Sequence, residues 1–96
     1  MLNQVILVGR ITSDIEKIGE NYRMVIAIPR SYKNAEGEYE TDFIENILPK
    51  NIGENVKEYC RKGDIVGIKG RLETYELNKP TTVIGEKVTF LSSRGN

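Results

Sequence analysis

The chain of 96 residues has no histidine, no tryptophan, a single cysteine and no long apolar run. Without histidine there is no imidazole general base, no histidine metal ligand and no cysteine–histidine nucleophile pair, so enzymatic readings that depend on them are excluded. Cys60 has no partner for an internal disulfide and falls on an apolar helical stripe, where it reads as core packing. Nothing approaches the ~18 apolar residues of a membrane span. The opening Met1-Leu2-Asn3-Gln4 lacks the basic-then-apolar profile of a leader, so no membrane is expected and the expected location is cytoplasmic. A charge excess is missing too, because fourteen basic and fourteen acidic residues cancel. What matters is then where the charges lie. Acids gather at Glu36, Glu38, Glu40, Asp42 and Glu45, while bases spread from Arg10 through Arg30, Lys33, Lys50, Lys62, Lys69 and Arg71. The acids read as a flexible acidic loop, because no nucleophile or phosphate cradle stands near them. No catalytic residue, metal or cofactor is expected.

What is present is one small domain over residues 1–96. A chain of this size buries only about 60% of its unfolded surface, so its stability leans on self-association. Ile52, Val56, Tyr59 and Cys60 recur at helical spacing and predict a helix over about 51–61. Lys62-Gly63-Asp64 ends it, and the β-branched Ile65-Val66-Gly67-Ile68 starts a strand. Strands are predicted over about 3–12, 22–30, 39–48, 64–75 and 81–91. This order gives the fold class: all-β, a five-stranded Greek-key OB-fold barrel with one short α-helix between the third and fourth strands. Gly67 and Gly70 mark a bulge or sharp bend where the fourth strand curls to close the barrel, and Gly37 marks a loop turn. In the first strand Val5, Leu7, Gly9 and Ile11 form one face, yet Ile6 and Val8 make the other face apolar as well. A small barrel needs one inward face, so the second predicts burial against another subunit, with Val5, Ile6 and Val8 as interface residues.

Three segments in this order, MLNQVILVGRIT, RSYKNAEGEYETDFIENIL and ENVKEYCRKGDIVGIKGRL, closely resemble the bacterial and phage single-stranded DNA-binding proteins. The likeness continues to the closing strand EKVTFL, and the shortened connections, Ile15 to Arg23 and Glu76 to Pro80, are loops in that family. The resemblance implies an OB-fold that coats and protects single-stranded DNA with little sequence preference during replication, repair or recombination. Stacking needs flat rings beside cations, and one ring is worth about 1–3 kcal/mol. Tyr32 and Phe43 fall at the family's two aromatic positions flanking the loop between the second and third strands. Phe43 alternates with Ile44, so only one can point inward, and the aliphatic residue is the better core candidate. Arg10, Arg30, Lys33, Lys50 and Lys62 match positions often basic in the family and are the phosphate candidates.

The chain also departs from that pattern. Pro49 and Leu77 occupy two positions that commonly hold stacking aromatics, and Glu45 should share the face of Phe43 and repel phosphate there. Tyr75, placed on the same strand face as Leu77, is the candidate replacement, whereas Tyr22 and Tyr39 read as loop or barrel-edge residues. The resemblance implies a homodimer or homotetramer, with the bacterial cytoplasm or nucleoid, or a phage-infected cell, as the location. The sequence stops at Ser92-Ser93-Arg94-Gly95-Asn96 without the family's acidic recruiting tail. That leaves an alternative: a tailless OB-fold adaptor of the primosomal replication protein N type, with weak strand binding, acting mainly through replication or recombination proteins.

Overall fold

The two-residue period of a strand places Leu7, Gly9 and Ile11 on one side of β1 (Val5–Ile11) and Ile6, Val8 and Arg10 on the other. Val5 lies on the Leu7 side and is half-buried, so it does not share the outward face of Ile6 and Val8. Of the three residues expected at an interface, only Ile6 and Val8 share the exposed face. A computed structural model describes residues 1–93; the chain end read as tailless, Arg94 to Asn96, lies outside the described residues. After β1 come β2 (Glu16–Ile18), β3 (Asn21–Lys33), β4 (Tyr39–Leu48), α1 (Lys50–Tyr59), β5 (Ile65–Glu73) and β6 (Thr82–Ser92). Among the described residues no helix is long and apolar enough to cross a membrane.

Five strands close a barrel in the order β1-β5-β6-β4-β3, with β3 returning to β1 through Arg10 opposite Ala27 and Ile11 opposite Ile26. Neighbours are antiparallel except β4 and β6, which run parallel with Asn46 opposite Val83 and Ile47 opposite Ile84. β2 stands outside the ring as the hairpin partner of β3, with Glu16 opposite Arg23. The Ile15 to Arg23 connection, expected to be a loop, therefore carries a strand. Three residues are too few to show a period, and Gly19 at φ 61° makes the turn.

The core is built from Ile11, Met24, Ile26, Leu48, Val66 and Ile68, with Val56 of α1 and Cys60 just after it packed on it. Two aromatic residues differ from expectation. Tyr22 is a core residue, 6% exposed, because it is the first inward side chain of β3, opposite Leu48 and directly beneath Gly53 of α1. Tyr59 is 70% exposed, since the helix buries Gly53 and Val56, with Ile52 partly covered, and leaves its flank in water. Burial pushes the Cys60 thiol above its usual range, with the Asp64 charge adding to the effect.

The end of α1 is tied to the barrel. Arg61 Nη1 donates to the carbonyls of Lys57, Glu58 and Cys60 at 3.2, 2.8 and 3.0 Å, which satisfies acceptors the last helical turn leaves open. Gly63, at φ 97°, turns the chain so that its N–H donates to Ile11 O at 2.8 Å while Ile11 N–H donates to Asp64 O at 2.9 Å. In β5 the bend falls at Gly70, where a Cβ would lie 2.1 Å from Ile84 O and the pairing with β6 shifts register. Gly67, expected to share that role, sits on the open outer face, where a Cβ would meet Leu91 at 3.6 Å in ordinary contact. Beyond the start of β1, Asn3 acts as a strand residue through its side chain: Nδ2 donates to Leu72 O and Oδ1 accepts from Leu72 N–H, both at 2.8 Å.

Candidate nucleic-acid interface

Alternation along β4 turns Ile44, Asn46 and Leu48 toward the core and leaves Tyr39, Thr41, Phe43 and Glu45 on the outer face. Phe43 is 68% exposed there, opposite Ala27 of β3, whose methyl leaves the ring face uncovered. Tyr32 is 64% exposed on the same hairpin, within the stretch where β3 carries extra residues and shifts register between Pro29 and Lys33. Two large rings stand in solvent at a single hairpin without contributing to the core.

The charges around them are organised into arginine-centred clusters. Arg23 donates through Nε to Glu45 and through Nη1 to Glu16 at 3.0 Å, which ties β2, β3 and β4 together on the outer face. These hydrogen bonds, Glu45 first and Glu16 second, push the Arg23 pKa upward. The carboxylate expected beside Phe43 is thus present, but it is partnered. Two carboxylates on one guanidinium still leave the cluster with one negative charge. Arg30 is engaged in the same way: Nη2 and Nε donate to Asp42 at 2.8 and 3.1 Å, and Nη1 donates to Glu40 at 2.6 Å. The hydrogen bond to Asp42, then its charge, pushes the Arg30 pKa upward, and the same bond holds the Asp42 carboxyl below its usual range. Arg30, the expected phosphate ligand, thus braces the hairpin through bonds to two carboxylates of β4. The cross-strand partners of Arg30 could not be read from the chain because the bulge displaces the register beside it.

A third cluster holds Tyr75. Arg71 donates to Glu73 at 2.7 Å and to Glu86 at 2.9 Å, and the Tyr75 hydroxyl donates to Glu73 Oε1 at 2.8 Å. That hydroxyl bond is the first cause of the lowered Glu73 pKa, ahead of Arg71, and it raises the Tyr75 phenol in turn. Tyr75 is 76% exposed but lies beyond Glu73, where β5 ends, so its expected place on a strand face is corrected to the following turn.

The remaining cations are distributed over three places. Lys33 is exposed opposite Tyr39, with Nζ 5.8 Å from the ring centroid. Lys50 opens α1. Arg10 reaches the turn after α1 that carries Lys62, where its Nη1 donates to Gly63 O at 2.7 Å. Arg10 also shares the outward face of β1 with Ile6 and Val8. A cleft of about 200 Å³ beside this turn is lined by Asp14, Ile15, Lys57, Cys60, Arg61 and Lys62. Two of its bases are committed, Lys57 to Ile15 O at 2.8 Å and Arg61 to the helix end. Tyr39, read from the sequence as a loop or edge residue, is 59% exposed on the Phe43 face, and its even spacing from Phe43 was the available signal.

Comparison with known proteins gives consistent matches. The chain is 38% identical to single-stranded DNA-binding protein 2 of Staphylococcus aureus (strain COL) over 108 residues, covering 100% of this chain and 78% of that protein. The fold superimposes on a small single-stranded DNA binding protein from Mycoplasma pneumoniae with a TM-score of 0.73 at 25% identity, covering 92% of each chain. The N-terminal domain of PriB protein from Thermoanaerobacter tencongensis, solved as a dimer, gives a TM-score of 0.72 at 20% identity, covering 95% of this chain and 98% of that one, a likeness of fold alone. The Single-strand binding protein family model matches residues 2–91, and with that span and the curated relative together, the chain belongs to this family.

Proposed function

We infer that the protein binds and protects single-stranded DNA with little sequence preference, in replication, repair or recombination, and performs no chemistry on it. The observation that carries the reading is Phe43, a phenyl ring 68% exposed in the middle of an ordered sheet face beside a small residue. Such a ring stacks on any base, because every base offers a π-face. In this reading Tyr32, Phe43 and Tyr75 take bases, while Lys33, Arg10, Lys50 and Lys62 follow the phosphates. Arg30, held by Asp42 and Glu40, shapes the hairpin that presents Tyr32. The outward Ile6 and Val8, 70% and 53% exposed, support a homodimer or homotetramer formed through the β1 face. The protein works where its strand is, in the bacterial cytoplasm or nucleoid or in a phage-infected cell.

The test is fluorescence anisotropy of a labelled oligothymidine, titrated at several salt concentrations against duplex of equal length. Binding is expected to prefer the single strand and to weaken with salt at a slope near −0.7 for each phosphate neutralised, so about −3 for four cations. Phe43→Ala should lose about 1–3 kcal/mol of binding while melting as the wild type does. Unchanged affinity in the folded variant removes Phe43 from the site. The net negative Glu16–Arg23–Glu45 cluster beside that ring favours the adaptor reading, and equally weak binding to single strand and duplex would select it.

A further inference from the structure

We propose that Tyr39 is a further base-stacking residue, the outer end of a single-strand track along β4; the proposal rests on the single-strand reading above and specifies its path. Tyr39, Thr41 and Phe43 alternate on one face of β4, and their partners on β3 are Lys33, Pro29 and Ala27. Both rings stand well clear of the sheet, Tyr39 59% and Phe43 68% exposed, while Thr41 and Pro29 between them and Ala27 opposite Phe43 are short. The result is a low floor between two raised rings. Four residues at a rise of ~3.4 Å set the rings about 14 Å apart, roughly four stacked base steps. That spacing fits within the ~4–16 nucleotides an OB-fold covers.

Charge gives the track a direction. On the Glu45 side of Phe43, two carboxylates share the Arg23 guanidinium, and the net negative charge repels a phosphate backbone. On the other side Lys33 has no ion pair among the described residues and sits 5.8 Å over the Tyr39 ring. Of the acids near Tyr39, Glu40 belongs to the opposite face and is held by Arg30 at 2.6 Å. Glu36 and Glu38 lie at the hairpin tip, where both backbone N–H groups donate to Asn34 Oδ1 at 2.9 Å. A strand leaving Phe43 is therefore turned away from Glu45 and drawn to Lys33. One face of the Tyr39 ring is steadied by the ammonium, and the other is free to take a base.

The absence of tryptophan makes the test specific, since Tyr39→Trp introduces a single indole. Saturating oligothymidine should quench that indole, as it should in a parallel Phe43→Trp variant. Tyr39→Ala should raise the Kd about 5- to 150-fold, and Tyr39→Phe should stay within about twofold of wild type. Where Tyr39→Ala loosens the hairpin, Tyr39→Leu keeps an apolar contact for the Lys33 stem and lacks only the ring; it should show the same loss. A simple cross-strand packing role for Tyr39 predicts the reverse: an unquenched indole and wild-type affinity in Tyr39→Leu. With Phe43→Trp quenched, that outcome overturns the role of Tyr39 and leaves single-strand binding standing. No binding of oligothymidine by the wild-type protein overturns both.

Discussion

Replacing Gly53 by alanine sets two physical effects of opposite sign against each other. Within a helix, alanine is better than glycine by about 0.8–1.0 kcal/mol, so propensity alone predicts a more stable protein. The position is not free, however. A Cβ at Gly53 would lie 2.3, 2.5 and 2.6 Å from Cδ1, Cγ and Cβ of Tyr22. The last of these atoms is fixed by the β3 backbone at a register position opposite Leu48, so a rotation of the ring cannot clear it. Restoring contacts of about 3.5–4.0 Å requires α1 to back away from β3 by about 1 Å. Overpacking of this kind costs about 1–3 kcal/mol. With three contacts this short, the upper end applies and the net effect is a loss of about 2 kcal/mol. For a domain of this length that is a fall in Tm of roughly 8–16 °C. Thermal and urea unfolding followed by circular dichroism measures it, at one fixed protein concentration because association shifts Tm. Asn55→Ala, at an exposed position of the same helix, isolates propensity and should gain about half a kcal/mol. An unchanged or higher Tm for Gly53→Ala would refute the seating of α1 on Tyr22.

Three further outcomes follow from the charge clusters and the β1 face. Glu45→Gln leaves Arg23 with Glu16 alone, so oligothymidine should bind tighter by up to about fivefold, with the gain fading as salt rises; weaker binding would contradict the repulsion assigned to Glu45. The hydrogen bond from Arg30 holds the Asp42 carboxyl below its ordinary value of 3.8, so its stabilisation is present above that value and is lost as pH falls through the depressed one. Urea midpoints of Asp42→Asn should trail wild type by a constant margin above about pH 5 and converge with it under strong acid, and a margin unchanged in acid would deny the pair its role. Ile6→Asp should convert the protein to a folded monomer in sedimentation velocity at micromolar concentration; a persisting oligomer would move the interface elsewhere.

Periodicity and punctuation carried the strands. Alternation in YETDFIENIL predicted β4 as it stands, and Gly63 marked the end of α1 because a left-handed backbone was needed there. The aromatic residues were harder. A tyrosine has an apolar body and a polar tip, so its identity does not say which way it faces. Tyr22 and Tyr59 exchanged the places expected of them because burial there depends on where α1 crosses β3, a contact between residues remote in sequence. The phosphate candidates were legible by position and type only. Arg30 and Asp42 are twelve residues apart, and only the cross-strand pairing shows that the cation is already neutralised.

The amide of Asn3 has a consequence for the company this barrel can keep. Leu72 lies two residues past Gly70, the partner of Val5, so its N–H and C=O face a margin that β1 no longer covers. Open ladder groups at such a margin are a template for a foreign strand and hence for disordered aggregation. Asn3 occupies both with one side chain. The margin of β5 is sealed there without adding a strand, whereas the far edge of β1 from Val5 to Gly9 has no strand partner among the described residues.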